Sequence, residues 1–185
     1  MSNESSKALK RLQIDPLWAR VQRAPKPYID IGAGGDPIPG AEGYDMQQGN
    51  ANYIDNRPDG AYGLVWSSHC LEHMVFPLDA FGRWWQLVAP GGWLWVIVPD
   101  VVLYEHSQFP SKFSSDHKWM FSVNRPVMHP RHINLTDLIK LCPGGELMRL
   151  ALVDTNYDWT KGPDVDQSAG DSDVEVACEI VVWKR

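Results

Sequence analysis

The sequence predicts an α/β fold with a mostly parallel sheet, and three observations carry that expectation. Short apolar or β-rich runs separated by turn residues fill the chain from Tyr28 to Ser67. A segment with helical spacing of its apolar residues follows, from about Phe76 to Val88. It leads into Trp93–Val98, an unbroken apolar run of the kind that forms a parallel strand buried on both faces.

The elements can be justified in chain order. Leu9, Leu12, Leu17, Trp18 and Val21 recur at helical spacing, and Pro16 divides them into two short pieces. Residues 1–27 are therefore expected to form an N-terminal helical cap, and residues 28–185 a single domain. Strands are expected at Tyr28–Ile31, Gly43–Asp45, Asn52–Ile54 and Gly63–Ser67. The helix that follows should bury Leu78, Phe81, Trp85 and Val88 and stop before Pro90-Gly91-Gly92. Residues 101–134 are rich in Ser, Pro, His and aromatics, and so long an irregular stretch points to a functional or moving segment. A short helix at Thr136–Cys142, a strand at Leu147–Val153, a polar loop at Thr160–Asp173 and a last strand at Val174–Trp183 complete the chain.

Composition narrows the function. The 185 residues suffice for one domain with a real core and hence one active site. A net charge of −6 argues against a general grip on nucleic-acid phosphates. Cys70, Cys142 and Cys178 are odd in number and lack metal-type spacing, so they read as reduced thiols. Met1–Lys10 is polar, and no apolar run is long enough to cross a bilayer, so no membrane insertion and a cytoplasmic location are expected.

The sharpest motif is Tyr28-Ile29-Asp30-Ile31-Gly32-Ala33-Gly34-Gly35, an apolar strand running into glycines that let the backbone turn and approach a ligand. Pro37 stands where a dinucleotide fingerprint needs its third glycine, which disfavours a nicotinamide oxidoreductase. Further along come Ser67-Ser68-His69-Cys70-Leu71-Glu72-His73-Met74 and Leu87-Val88-Ala89-Pro90-Gly91-Gly92. Together, in this order over residues 28–100, these motifs resemble class I S-adenosylmethionine-dependent methyltransferases, and specifically their compact type-11 branch. His117-Lys118-Trp119-Met120-Phe121 is more loosely similar to a segment of compact methyltransferases associated with cell-surface glycan genes.

The resemblance implies a Rossmann-like class I methyltransferase fold, a mostly parallel sheet with an antiparallel last strand, and S-adenosyl-L-methionine as cofactor. It places cofactor-binding residues at Asp30, Gly32, Ala33, Gly34, Asp45, Met46, Asn50, Ala51, Ser67, Ser68 and His69. Asp45 can accept both ribose hydroxyls, Met46 can lie on the adenine, and Asn50 stands where the family has an acidic residue. Only ten residues separate Gly34 from Asp45, so the early crossovers are short and leave a sheet face that the N-terminal segment or a homodimer partner must cover.

For chemistry, His117 is the first candidate general base, His69 the second and His106 the third, acting on a hydroxyl of a sugar or small molecule. A non-catalytic cofactor-binding module with a regulatory or scaffold role is the alternative. His69 and His73 have the i,i+4 spacing of metal ligands, but no third ligand is evident, so no metal is expected. Glu72 reads equally as a helix cap or as a ligand. Trp84, Trp85, Trp93 and Trp95 read as core, and His129 and His132 beside Arg125 and Arg131 as a solvated loop that can favour an acidic acceptor.

Overall fold

Four buried residues, Tyr28–Ile31, form strand β1. It pairs in parallel with Ala41–Tyr44 (β2) on one side and with Tyr62–Ser68 (β3) on the other. Val88–Pro99 (β4) continues the parallel run, and the last strand, Ala177–Lys184 (β8), lies antiparallel between β4 and Gly145–Val153 (β7). The sheet order is β2-β1-β3-β4-β8-β7. This is the α/β, mostly parallel architecture of a Rossmann-like class I methyltransferase fold, with one antiparallel strand at the chain end. The computed structural model describes residues 4–185, so the first three residues of the expected N-terminal cap lie outside the described residues.

Alternate residues of the central strands point to two different cores, as the period of two requires. Ile29, Ile31, Val65, Leu94, Val96 and Val98 face Pro77–Leu87 (α3), which contributes Phe81, Trp84 and Trp85. Tyr28, Leu64, Trp66, Trp93, Trp95 and Ile97 face the opposite side. That side is covered by Glu4–Leu12 (α1) and Pro16–Val21 (α2), through Ala8, Leu12, Trp18 and Val21. Trp18 packs edge-on against Trp66 at 5.4 Å and Trp95 at 5.6 Å between ring centroids. The connections at residues 32–40 and 45–61 hold no helix, so no crossover helix covers this face near β1 and β2.

The strand expected at Asn52–Ile54 does not form; these residues are in turns and a loop. The Asn50 side chain accepts from the Asn52 backbone N–H at 2.9 Å, and Asn52 Oδ1 accepts from the Val75 and Phe76 N–H groups. Local side-chain bonding of this kind competes with a strand ladder. Leu78 is 47% exposed and is not part of the buried helix face; Ala80 and Trp84 take its place, and Val88 opens β4. α3 ends at Leu87, ahead of Pro90-Gly91-Gly92, which lies within β4 where the β3–β4 register shifts. The irregular segment contains one small parallel pair, Met120–Ser122 (β5) with His132–Asn134 (β6), and Leu135–Leu138 (α4) follows directly.

A buried ionic cluster anchors α1. Arg11 donates to Glu175 at 2.8 Å and to both carboxylate oxygens of Glu179 at 3.3 and 3.0 Å. Glu179 also accepts from Arg149 at 3.2 Å and from Trp95 Nε1 at 3.0 Å. Breaking a buried pair leaves an uncompensated charge, a loss larger than that of any surface ion pair. Arg11→Ala is therefore expected to lower unfolding free energy by about 3 kcal/mol, the low end for such a break because Arg149 and Trp95 remain. Urea denaturation measures it, and an unchanged midpoint would contradict the anchoring role.

Asp30 sits beneath the same helix. Its Oδ2 accepts from Ser5 Oγ at 3.1 Å and from the Ile38 N–H at 2.9 Å, while Oδ1 has no partner. Burial raises its pKa to about 7, only partly opposed by those two hydrogen bonds. The resulting stability is present in full below the unfolded pKa of about 3.9 and is lost as pH rises toward the folded value. Relative to Asp30→Asn, the wild type should gain stability between about pH 7.5 and about pH 5, by up to about 1.4 kcal/mol per pH unit. Paired denaturation curves test this, and a wild type that loses ground to the variant on acidification would show that Asp30 is ionised in the fold.

Candidate active site

The turn after β1 is built around two backbone requirements. Gly32 has φ +80°, and a Cβ there would stand 2.4 Å from Cys70 Cβ, so only glycine fits between the ends of β1 and β3. Its N–H donates to the Tyr44 carbonyl at 2.8 Å. Gly34, at φ +57°, donates its N–H to Asp45 Oδ2 at 2.8 Å, which fixes the carboxylate at the end of β2. Asp45 Oδ1 accepts from the Met46 N–H at 2.6 Å, so each oxygen keeps a lone pair for a ligand.

Gly32, Tyr44, Asp45 and Met46 border a cavity of about 760 Å³ at the carboxyl ends of the parallel strands. Of the residues expected to bind a cofactor, Gly32, Asp45, Met46, Asn50, Ala51 and His69 line it. Met46 is 90% exposed at its mouth. Asp30, Ala33, Gly34, Ser67 and Ser68 lie outside the lining. Asp30 faces α1, and Ser67 Oγ donates to the Ile31 carbonyl at 2.9 Å and ties β3 to β1. Ser68 Oγ is buried without a partner.

A second cavity of about 450 Å³ adjoins the first, and His69 and His73 line both. Glu4, Glu72, Tyr104 and His117 form much of its wall. The wall is assembled by backbone bonds: the Glu72 carbonyl accepts from the Lys118 N–H at 2.8 Å and from the Trp119 N–H at 3.2 Å. This brings His117 against the helical turn Leu71–His73. His117 Nδ1 and Glu105 Oε1 are 2.7 Å apart, so the buried carboxylate holds the Nδ1 proton and leaves Nε2 as an acceptor toward Glu72.

The electrostatics of this wall follow from burial. Burial pushes the Glu72 carboxyl up to about 7, and both of its oxygens lack a hydrogen-bond partner. It caps no helix. Burial lowers the His69 pKa to about 4. For His117 burial also disfavours the charge, but the Glu105 hydrogen bond and the Glu72 carboxylate outweigh it and its pKa is raised. His106 lies outside both cavities and packs on Phe113 at 5.7 Å. His129 and His132 are outside as well; His132 pairs with Ser122 Oγ at 2.9 Å.

Several wall residues have no signal in the sequence. Glu4 comes from α1, and Asp166, Ser168, Ala169 and Gly170 from the loop before β8. Glu105 could have been found as an acidic residue just beyond the buried strand β4. The i,i+4 pair His69 and His73 gains no third ligand here; a different group, Glu72, His73 and His117, offers ligand atoms all within 4.8 Å of one another.

Comparison with known proteins bears on the domain and the fold. The family model of a methyltransferase domain of type 11 matches residues 29–96, from β1 through most of β4. A methyltransferase from Archaeoglobus fulgidus has a similar structure, with a TM-score of 0.57 at 15% identity over 99% of this chain and 95% of that one. Another, from Thermotoga maritima, has a TM-score of 0.54 at 15% identity over 97% and 96%. The [4+2]-cyclase SpnF is as similar, with a TM-score of 0.56 at 14% identity over 96% and 80%, so these likenesses speak to fold alone. A search of curated proteins finds no match. No helix among the described residues is long and apolar enough to cross a membrane. With the type-11 domain at residues 29–96 and the class I fold around it, the chain is an S-adenosylmethionine-dependent methyltransferase.

Proposed function

We propose that the enzyme methylates a hydroxyl of a sugar or other small molecule, with the cofactor in the larger cavity and the acceptor in the smaller. The observation that carries this is the meeting of the two cavities at His69 and His73. The larger cavity suits the cofactor: the Asp45 carboxylate has free lone pairs for ribose hydroxyls, and Met46 and Ala51 offer apolar contact. The smaller one is polar and walled by histidines and carboxylates, as a hydroxylated acceptor requires.

The cofactor supplies a methyl group on a sulfonium, with a good leaving group already in place. The protein has to align the acceptor and take its proton. His117 is our general base, since Glu105 holds its Nδ1 and turns Nε2 into the site. His69 is a weaker base, with its pKa lowered by burial, and His106 lies too far outside. Residues 101–134 supply Tyr104, Glu105 and His117 to the acceptor side. Three buried, unpaired cysteines support a cytoplasmic location.

A cofactor-binding module of weak or no activity is the second reading, favoured by one observation. Asn50 Oδ1 is engaged by both the N–H and the side-chain amide of Asn52, each at 2.9 Å, which weakens it as an acceptor for the adenine amino group. Both readings require Asp45. Asp45→Ala should weaken S-adenosylhomocysteine binding by about tenfold to a hundredfold, from the loss of about 1.5–3 kcal/mol in hydrogen bonds to a charged group. Calorimetry measures this directly, and equal affinity in the two proteins would overturn the cofactor site.

A further inference from the structure

The geometry points to a divalent transition-metal site formed by Glu72, His73 and His117, whose ligand atoms all lie within 4.8 Å of one another. Glu72 is fully buried, and neither of its carboxylate oxygens has a hydrogen-bond partner. Three imidazole nitrogens surround its Oε1 instead: His69 Nδ1 at 3.7 Å, His73 Nε2 at 3.7 Å and His117 Nε2 at 3.9 Å. These distances are too long for hydrogen bonds. They suit two ligands of one ion, because atoms that each lie about 2.1 Å from a metal stand about 3.4–4.2 Å apart.

The outer contacts have the same form. A histidine that binds metal through one ring nitrogen commonly gives the other N–H to a carboxylate. Here His117 Nδ1 is 2.7 Å from Glu105 Oε1, and His73 Nδ1 is 3.0 Å from Asp116 Oδ2. Both rings thus present Nε2 to Glu72 and are held from behind by an acid. The rings themselves meet edge to face, with centroids 4.9 Å apart. Glu72, His73 and His117 all line the smaller cavity.

Two imidazoles and one carboxylate select zinc, cobalt, manganese or iron over magnesium and calcium, which take oxygen ligands. An ion here also answers the charge problem of a carboxylate buried without a donor. Its use rests on the hydroxyl-methylation reading above, although its binding does not. Beside the acceptor cavity it would act as a Lewis acid that lowers the pKa of an acceptor hydroxyl; His117 would then be a ligand, and the hydroxyl proton would pass to His69, which lines the same cavity.

The test is titration of the untagged, chelator-treated chain with Co²⁺, followed by its visible absorption bands, with Zn²⁺ as competitor. We expect a single ion per chain, displaced by Zn²⁺. Glu72→Gln and His73→Asn should each weaken binding by about a hundredfold or more, and Glu105→Gln by about tenfold to a hundredfold. Should Glu72→Gln not fold, His73→Asn carries the test, since that side chain is 30% exposed. Absence of stoichiometric Co²⁺ binding by the folded wild type, or binding untouched by His73→Asn and Glu105→Gln, would overturn the site. S-adenosylhomocysteine binding by the same stripped wild type is measured alongside. Its loss would count against the methyltransferase reading, whereas its retention without Co²⁺ binding would count against the metal site alone.

Discussion

Docking of α1 on the sheet is the contact on which the remainder of the structure depends. A parallel sheet must be covered on both faces, and crossover helices ordinarily do this. Here residues 32–40 and 45–61 form no helix, and α3 lies on one face only. Trp66, Trp93 and Trp95 on the other face would meet water without α1 and α2. Burial of surfaces this large is worth several kcal/mol, and the Arg11 ion cluster fixes the direction in which the helix lies.

That direction matters for the site. With Arg11 held at Glu175 and Glu179, the start of α1 reaches the carboxyl ends of the strands. Ser5 donates to Asp30 below the glycine turn, Ser6 donates to Asp36 within it, and Glu4 enters the wall of the smaller cavity. A segment that looks like a mere cover in the sequence thereby lines the candidate site. The opposite wall depends on a second connection, the pair of backbone N–H groups that Lys118 and Trp119 donate to the Glu72 carbonyl. Through it the long segment after β4 is registered on the turn after β3, and the histidines and carboxylates converge.

Features written in contiguous residues were legible in the sequence. The β1 strand, its glycine turn, Asp45 and the segment His69–His73 each read as motifs, and the observed β1 bounds are those expected. The apolar run after Pro90-Gly91-Gly92 was legible as a buried strand for the same reason. Asn52–Ile54 misled because a β-rich composition cannot show that Asn50 and Asn52 spend their side chains on neighbouring backbone. The meeting of Glu4, Glu72, Glu105 and His117 depends on contacts between distant segments, and no local pattern reports it. Glu72, which reads equally as a cap or as a ligand, caps no helix and is fully buried without a hydrogen-bond partner.

The two adjoining cavities and their shared histidines make one claim above all, that the reacting centre lies at the border between them. A crystal structure with S-adenosylhomocysteine bound tests it most directly. We expect the ribose hydroxyls on the Asp45 carboxylate, and the sulfur at the edge formed by His69 and His73, open toward Glu72 and His117. A ligand that leaves Asp45 unengaged, or whose sulfur faces away from the smaller cavity, would contradict it.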